Sequence, residues 1–255
     1  MTAAEDGEAG HDSETHVRAI ARGLAVIEAM GEGAAAHTIA ELAAATALPR
    51  SVVRRVLLTL CGLGYARGDG ARYALTPRAL KLGLSYLGSQ PAWRHGQVAL
   101  EDLRAETGES CSLAVLDGEE IVYLLRVPSR RILAMSLTVG SRLPAHAVSL
   151  GRVLLAHLDD EALETYLERA APPGPRRLRT QLRAVREQGY AWVDGVLDEA
   201  ICGLAVPVRD AGGAVVAAVN VSTISGKMDE VQARKRLLVP LRHAAEQIRA
   251  LGAGR

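Results

Sequence analysis

Five arginines and a single acidic residue, Asp69, lie between positions 49 and 72. That balance attracts the phosphates of a nucleic acid, and such binding releases counterions and weakens as salt is raised. Four of the polar side chains share one helical stretch, whose apolar residues recur at spacings of three and four on the other side. We therefore expect contact with double-stranded DNA through two sets of side chains: Arg50, Ser51, Arg54 and Arg55 on the helix, and Arg67 and Arg72 beyond it.

The elements around these arginines follow the order of a winged helix-turn-helix. Thr38 and Glu41 have the capping-box spacing at the start of one short helix. Pro49 suits the first position of the next helix, because proline donates no backbone hydrogen bond. Residues 68–70, Gly-Asp-Gly, then separate two strand-like runs, which is a hairpin signal. In such a module the second helix enters the major groove and the hairpin lies along the DNA backbone.

An ordinary pair of helices with a solvated arginine face would show the same periodicity. Helix pairs are common, so the periodicity by itself favours DNA binding only modestly. The hairpin directly after the cationic helix is the feature that favours DNA binding over this alternative.

The composition is that of a soluble globular protein. The chain has 255 residues, 49% hydrophobic and 23% charged, with a net charge of +1, and its length suits two domains. Since the whole chain is nearly neutral, its positive charge is local, which favours specific docking over indiscriminate coating of nucleic acid. Cys61, Cys111 and Cys202 have no paired spacing, which predicts free thiols in a reducing cytoplasm and no metal site. No apolar run is long enough to span a bilayer.

The pattern predicts four segments. Residues 1–16 carry five acidic side chains and little apolar bulk, which predicts a disordered tail. Residues 17–75 form the winged helix-turn-helix, and residues 76–90 form a linker helix that begins with a Thr-Pro pair. The apolar stripe of that helix suits dimer contact, and packing against its own domain is an equal alternative. Residues 91–255 form a second domain.

The second domain changes from helical to strand-like periodicity. Asp117 and Gly118 separate two strand-like runs and signal another hairpin, while the apolar run at 214–222 suits the centre of a sheet. The stretch 171–179, rich in proline and arginine, is predicted to be a surface loop, with Thr180 capping the next helix. The fold class predicted is α+β, and its aliphatic core can hold a small-molecule pocket.

Several stretches resemble the IclR family of bacterial transcription regulators. ARGLAVIEAM (21–30), ELAAATALPRSVVRRVLLTLCGLGY (41–65) and YALTPRALKLGLSYL (73–87) are similar to its DNA-binding half. RVPSRRILAMSLTVGSRLPAHAVSLGRVLLAHL (126–158) is similar to its effector-domain core. Within the family the likeness is to the PcaR/PcaU/PobR branch, which responds to aromatic acids or their ring-cleavage products. The two blocks agree in order and separation, and the resemblance covers nearly all of residues 17–248.

The resemblance implies a C-terminal GAF/profilin-like α/β effector domain with a central antiparallel sheet. It implies a regulator of a catabolic operon that binds operator DNA as a homodimer or a dimer of dimers, with a small-molecule effector and no cofactor. It also implies effector contacts. Ser149 and Leu150 match contacting positions at a helix start, and Asn220 and Ser222 match small polar pocket positions on the central strand.

Four further effector contacts are chosen from chemistry alone. An aromatic acid needs a cation or N–H donors for its carboxylate and apolar walls for its ring. Arg142 and His146 are the candidates for contact with the carboxylate or a phenol, and Met135 and Trp192 are the candidates for the walls. For each residue a structural role is the open alternative: a surface charge, a helix-start histidine, or ordinary core packing.

One stretch departs from the family pattern. Family members usually have Gly, then Arg followed by a small polar residue, just before an Ala-x-Pro strand; this chain has Ala200, Cys202 and Gly203 at those positions. The segment borders the effector pocket in the family. The ligand here is therefore expected to differ from the branch norm by being neutral, bulkier, or an acid held from the other side.

An enzyme, such as a small hydrolase, is the second class considered. Ser149 and His146 are close in sequence, and Cys111 with a distant histidine could act as a nucleophile. The sequence has no G-x-S-x-G elbow, phosphate loop or metal-ligand spacing, and its seven histidines are scattered. A DNA-architectural protein without a ligand would leave the long second domain unexplained. We therefore expect a regulator without catalytic residues.

Overall fold

The computed structural model describes residues 17–89, 91–129 and 137–252. The chain separates into two compact units, divided between Tyr86 and Leu87. The acidic tail predicted at residues 1–16 and the candidate wall residue Met135 lie outside the described residues. No described helix is both long enough and apolar enough to cross a membrane.

The first unit is built as a winged helix-turn-helix, which confirms the predicted fold of this half. Its helices are α1 (Arg18–Met30), α2 (Ile39–Thr46) and α3 (Arg50–Gly62), followed by a hairpin of β1 (Ala66–Gly68) and β2 (Tyr73–Leu75). A 3-10 turn (Pro77–Ala79) leads into α4 (Leu80–Ser89). The helices and hairpin share one core, formed by Val26, Met30, Leu42, Val53, Leu57, Leu60, Ala66 and Tyr73.

Local hydrogen bonds hold the ends of these elements. The Thr38 hydroxyl accepts from the Glu41 N–H at 3.2 Å, and the Glu41 carboxylate accepts from the Thr38 N–H at 2.7 Å, which completes the capping box of α2. At the hairpin tip the Asp69 carboxylate accepts from the N–H groups of Ala71 and Arg72, both at 2.9 Å. The Asp69 carboxylate therefore stabilises the hairpin tip through backbone N–H groups, and it forms no ion pair with the described arginines.

A six-stranded antiparallel sheet lies at the centre of the second unit, which confirms the predicted architecture. The elements in chain order are α5 (Pro91–Thr107), β3 (Ser110–Asp117), β4 (Glu120–Val127), β5 (Arg142–Pro144), α6 (Ser149–Leu155), α7 (Asp160–Ala170), α8 (Pro175–Gln188), β6 (Ala191–Asp194), β7 (Ile201–Arg209), β8 (Val215–Ile224) and α9 (Glu230–Gly252). The strand order is β5-β4-β3-β8-β7-β6, with every neighbouring pair antiparallel.

Each face of the sheet carries its own core. On one face α5 and α9 pack through residues such as Leu100, Leu237 and Leu241. On the other face α6, α7 and α8 pack through residues such as Leu150, Leu167 and Leu182. Because side chains alternate along a strand, neighbouring positions of β8 serve different faces: Val219 and Val221 lie on the α5/α9 face, whereas Ala218 lies on the α6 face.

The boundary of α8 differs from the sequence prediction. The stretch 171–179 was expected to be a loop, but the helix already begins at Pro175, after Gly174 in the left-handed conformation (φ 63°). Proline is acceptable there because the first helical residues have no partner for their N–H groups. The arginines that suggested a loop lie on the solvent side of the helix, opposite buried Leu178, Leu182 and Val185.

Two histidines of the second unit predict acid sensitivity. Burial lowers the pKa of His146, and the nearby Arg152 cation lowers it further. Burial also lowers the pKa of His157, and the cations Arg209 and Arg186 act in the same direction. Nδ1–H of His157 donates to the Val153 carbonyl at 2.8 Å, and Nη2 of Arg209 donates to its Nε2 at 3.2 Å, so the native ring is neutral.

The unfolded chain therefore takes up protons before the folded chain does as the pH falls. As the pH is lowered past about 6.5, the ordinary histidine pKa, we expect the melting temperature to decrease. The decrease should continue until the pH is below the lowered pKa values of the folded state. In melting curves between pH 7.5 and 5.5, His157→Leu should show a smaller decrease than the native chain. Equal decreases in the two proteins would contradict this assignment.

Candidate functional site

The first part of the candidate site is the outer face of α3. Arg50, Ser51, Arg54 and Arg55 are exposed, while Val53 is buried beneath them. The helix therefore has one buried apolar face and one exposed polar face, as the apolar spacing predicts. Arg50, Ser51 and Arg54 also line a shallow groove with the start of α2 and with Gly70 and Ala71 at the hairpin tip. Helix α3 and the hairpin thus present one continuous concave surface.

The charge of this surface is uncompensated within the part of the chain that the structure describes. No described carboxylate forms an ion pair with Arg50, Arg54, Arg55 or Arg67. Arg72 is tied down differently: its Nη1 donates to the Ala36 carbonyl oxygen at 3.0 Å. A guanidinium has five N–H donors, so Arg72 keeps donors free for another acceptor while its position is fixed.

The second part is a cleft on the α6 face of the sheet in the second unit. It encloses about 590 Å³ of space, including its mouth to solvent. Its apolar lining comprises Tyr123, Leu137, Leu143, Ala147, Val148, Val193, Val196, Leu197 and Ile201. Its polar lining includes Arg126, Ser149, Asp198, Asn220 and Ser222. Apolar walls with a few polar groups are the usual build of a small-molecule site.

Strand pairing aligns the polar groups of the cleft in a row. Arg126 on β4 is opposite Ser112 on β3, and Ser112 is opposite Asn220 on β8. The next row along the same strands holds Ser110 and Ser222, followed by Gly203 on β7. Ser112 and Asn220 are buried at 0% and 4% exposure. Polar side chains thus occupy an area of a sheet face that elsewhere packs apolar residues.

Arg126 is the cation among the described residues that line the cleft. It is half-buried, its Nη1 donates to the Ser112 hydroxyl at 3.2 Å, and its guanidinium lies 5.9 Å from the centre of the Tyr123 ring. Burial raises the pKa of Tyr123, and the neighbouring Arg126 charge partly opposes that shift. No described carboxylate pairs with Arg126. The guanidinium is therefore positioned by neutral groups and is available to an anion.

Gly203 explains how Ser149 reaches the cleft floor. A Cβ at position 203 would lie 3.0 Å from the Ser149 hydroxyl oxygen and 3.5 Å from Nδ2 of Asn220. Ser149 is 3% exposed at the start of α6. The absence of a side chain at Gly203 lets α6 approach the sheet at this point, which places Ser149 beside the polar row.

The predicted effector residues fall into two groups. Ser149, Asn220 and Ser222 line the cleft. Leu150 is fully buried in the core beneath α6, and Trp192 packs against the core of the α5/α9 face, so neither is among the lining residues.

The two polar candidates chosen from chemistry also lie away from the cleft lining. Arg142 is exposed and forms ion pairs with Asp117 at 2.7 Å and Glu120 at 2.6 Å. His146 is held by Tyr166, whose hydroxyl lies 3.0 Å from the His146 backbone nitrogen and 3.1 Å from Nδ1. These contacts are those of a surface charge for Arg142 and of a structural histidine for His146, the alternatives considered from the sequence.

Sequence reasoning missed Arg126. The signal was present, because Arg126 is a single cation inside the strand-like run Glu120–Val127, whose other members from Ile121 onward are apolar or aromatic. A charge at such a position needs a reason, since a strand that packs on both faces has no solvated side. Its direction toward a cleft depended on the strand register, which the sequence did not reveal.

The two buried thiols, of Cys111 and Cys202, are poor nucleophiles. Burial raises the pKa of Cys111 to about 12 and that of Cys202 to about 11. Both thiols therefore stay protonated near neutral pH, and a thiolate is the reactive form. The Cys202 thiol also lies 3.7 Å from the Thr223 carbonyl oxygen.

Comparison with known proteins places both units in one family. The model of the IclR helix-turn-helix domain matches residues 19–70, and the model of the C-terminal domain of bacterial transcriptional regulator IclR matches residues 84–250. The Pca regulon regulatory protein of Pseudomonas putida is 40% identical over 238 residues, covering 90% of this chain and 82% of that protein. The p-hydroxybenzoate hydroxylase transcriptional activator of Acinetobacter baylyi is 32% identical over 252 residues, covering 94% and 93%.

A solved structure is similar over both units. It is an IclR homologue from Microbacterium hydrocarbonoxydans in complex with 4-hydroxybenzoate, 28% identical, with a TM-score of 0.79 and coverage of 91% of this chain and 98% of that one. The matching families and relatives are regulators of transcription, and the prediction that this chain is not an enzyme is confirmed.

Proposed function

Since this chain belongs to the IclR family of bacterial transcriptional regulators, we propose that it controls an operon for aromatic catabolism by binding operator DNA in response to an aromatic acid or a related metabolite. The observation that carries the proposal is the pairing of two features in one chain: an uncompensated arginine face on α3 and a cleft whose polar floor contains an unpaired cation. The relatives regulate Pca genes and p-hydroxybenzoate hydroxylase, and a similar structure holds 4-hydroxybenzoate.

Helix α3 is the element proposed to enter the major groove. Arg50, Ser51, Arg54 and Arg55 face outward and are positioned to contact base edges, while Arg67 and Arg72 on the hairpin contact phosphates. The groove beside α3 is also lined by the start of α2 and by the hairpin tip. The phosphate contacts set register and salt dependence, and the base contacts set sequence preference.

The regulator is proposed to act as a homodimer or a dimer of dimers in the cytoplasm. Helix α4 exposes Leu80, Leu82 and Leu84 at 66%, 49% and 54%. Apolar side chains at that exposure support contact with a second copy. A two-fold symmetric dimer reads two half-sites about one helical turn apart, so a pseudo-palindromic operator is expected.

The effector acts by favouring one conformation of the dimer. A ligand shifts an equilibrium only by its differential affinity for the two states. We propose that the state with the acid bound in the cleft presents α3 of the two copies at a different spacing from the free state, so that DNA affinity changes.

Isothermal titration calorimetry tests the effector class. We expect 4-hydroxybenzoate or protocatechuate to bind the purified protein at one site per chain. Arg126→Met should weaken the binding of either acid by at least roughly 10-fold, because the carboxylate loses a charge-assisted hydrogen bond. Arg176→Met, at an exposed arginine of α8, is the matched control and should bind like the native chain. The absence of heat with both acids would refute the proposed effector class.

A further inference from the structure

The hydrogen bonding of Asn220 is half complete. The side chain is 4% exposed, and its Nδ2 donates to the Ser222 hydroxyl at 2.9 Å. Its Oδ1 is buried with no partner among the described residues. A buried amide oxygen without a donor costs roughly 1–3 kcal/mol relative to a paired one. The cleft floor thus contains a polar group whose partner must come from whatever fills the cleft.

The cation of the cleft lies in the same row. Arg126 and Asn220 flank Ser112 on the neighbouring strands, so their Cα atoms are two strand spacings apart, roughly 10 Å. Both side chains belong to the cleft lining. No hydrogen bond joins them, since Nη1 of Arg126 donates to Ser112 and Oδ1 of Asn220 has no described partner, so the two side chains bracket the space above Ser112.

We propose that Arg126 and Asn220 select a ligand that carries an anionic group and a hydroxyl group at opposite ends, a hydroxy-substituted aromatic carboxylate, and that Asn220 is the residue that rejects the unsubstituted acid. This inference rests on the proposed function, because it takes the cleft to be the effector site. Within that site Arg126 binds the charged group of the ligand and Asn220 binds its hydroxyl.

A hydroxyl is the group that matches Asn220 in either orientation of the amide. With Oδ1 free, the ligand hydroxyl donates to it; with the amide turned, Ser222 donates to Oδ1 and the ligand hydroxyl accepts from Nδ2. A carboxylate can only accept, so it pairs with the amide only in the turned orientation, whereas a hydroxyl pairs with it in both. An unsubstituted ring leaves the amide unpaired and removes any water that had reached it.

The remaining charged group of the lining is already engaged. Asp198 accepts from the Ala200 N–H at 2.8 Å and lies on the segment before β7. It opposes an anion placed near it, which favours the orientation in which the ligand carboxylate lies at Arg126 on β4, on the other side of β3 and β8. Charge and hydrogen bonding therefore favour the same orientation of the ligand.

The test is a cycle between the ligand hydroxyl and the Asn220 side chain. Dissociation constants are measured by calorimetry for 4-hydroxybenzoate and benzoate with the native chain and with Asn220→Ala. Sites built to bond a hydroxyl reject the analogue without it by large factors, and we expect the native chain to prefer 4-hydroxybenzoate by roughly 100-fold, since one buried polar group is left unpaired. In Asn220→Ala we expect a preference below roughly 5-fold, because that group is gone.

Thr223→Val is the matched control. Thr223 lies three residues after Asn220 on β8, on the other face of the sheet, and its hydroxyl is also buried without a partner among the described residues. This variant removes a buried hydroxyl without touching the cleft, so it should keep the native preference. Asn220→Ser keeps a short hydroxyl on the cleft floor and should recover part of the preference. No recovery would indicate that Asn220→Ala acts through a structural change and not through the lost hydrogen bond.

Arg126 is tested with a neutral ligand. Methyl 4-hydroxybenzoate has the hydroxyl but no charge. We expect Arg126→Met to reverse the native preference for the acid over the ester, with a change of at least roughly 10-fold in their ratio. An unchanged ratio would overturn the assignment of the carboxylate to Arg126.

The outcomes separate this inference from the proposed function. Equal weakening of both acids by Asn220→Ala, or a native chain that binds both acids alike, would overturn the hydroxyl-reading role while the effector site stands. Binding of neither acid by the native chain would overturn the proposed effector class and this inference with it.

Discussion

Replacing Arg54 and Arg55 together by alanine is expected to weaken binding to operator DNA by roughly 100-fold or more, because each arginine contact to a base or phosphate is worth about 1–3 kcal/mol. Both side chains are exposed on the face of α3 opposite buried Val53 and Leu57 and form no ion pair with a described carboxylate. The salt dependence should also become shallower, since fewer counterions are released. Mobility-shift titrations at several salt concentrations measure both effects.

The control carries the same change of charge elsewhere. Arg176 and Arg183 are exposed on α8 of the second unit, and their double alanine variant should bind operator DNA like the native chain. If both double variants lost affinity alike, net charge would explain the loss. If neither did, the assignment of α3 to the DNA groove would be wrong.

Replacing Gly151 by alanine is expected to destabilise the second unit by about 3 kcal/mol, the upper end of the usual cost of overpacking, because the backbone that the added Cβ would meet cannot yield. A Cβ at position 151 would lie 2.5 Å from both Cα and the carbonyl carbon of Ala145, and closer still to its carbonyl oxygen. Helix α6 would have to move away from the turn Ala145–Ala147. Denaturant unfolding measures the loss, and effector binding should weaken with it because Ser149 begins the same helix.

Gly23→Ala is the matched control. Gly23 lies inside α1, and a Cβ there would meet nothing within 4 Å. The same chemical change should therefore stabilise the first unit by up to about 1 kcal/mol through helix propensity. A Gly151→Ala variant as stable as the native chain would contradict the close packing of α6 on this turn.

The first unit was accessible to sequence reasoning because its signals are local. The capping box at Thr38 and Glu41, the proline before α3 and the Gly-Asp-Gly hairpin tip each lie within a few residues, and each is present in the structure. The apolar spacing on α3 also separated buried Val53 from exposed Arg54. Local rules of this kind depend on backbone geometry alone.

The cleft was only partly accessible, because it depends on contacts between distant strands. Which face Arg126 joins follows from its pairing with Ser112, fourteen residues earlier, and from a register shift between Leu113 and Ala114. Arg142 was predicted from its chemistry, yet it forms ion pairs with Glu120 and Asp117, which lie 22 and 25 residues earlier in the chain. The start of α8 was misplaced for a different reason: the prolines and arginines of 171–179 were taken to indicate a loop, whereas Pro175 occupies the first turn of the helix.

Coupling between the cleft and α3, by which a bound acid changes DNA affinity, underlies the proposed function. Its most direct test is fluorescence anisotropy of DNA from upstream of the regulated genes, titrated with the native chain with and without saturating 4-hydroxybenzoate. We predict a change in DNA affinity of roughly 5- to 150-fold, the usual range of coupling between two sites, and the loss of that change in Arg126→Met with DNA binding itself retained. An identical DNA affinity with and without the acid, under conditions where calorimetry shows the acid bound, would contradict the account.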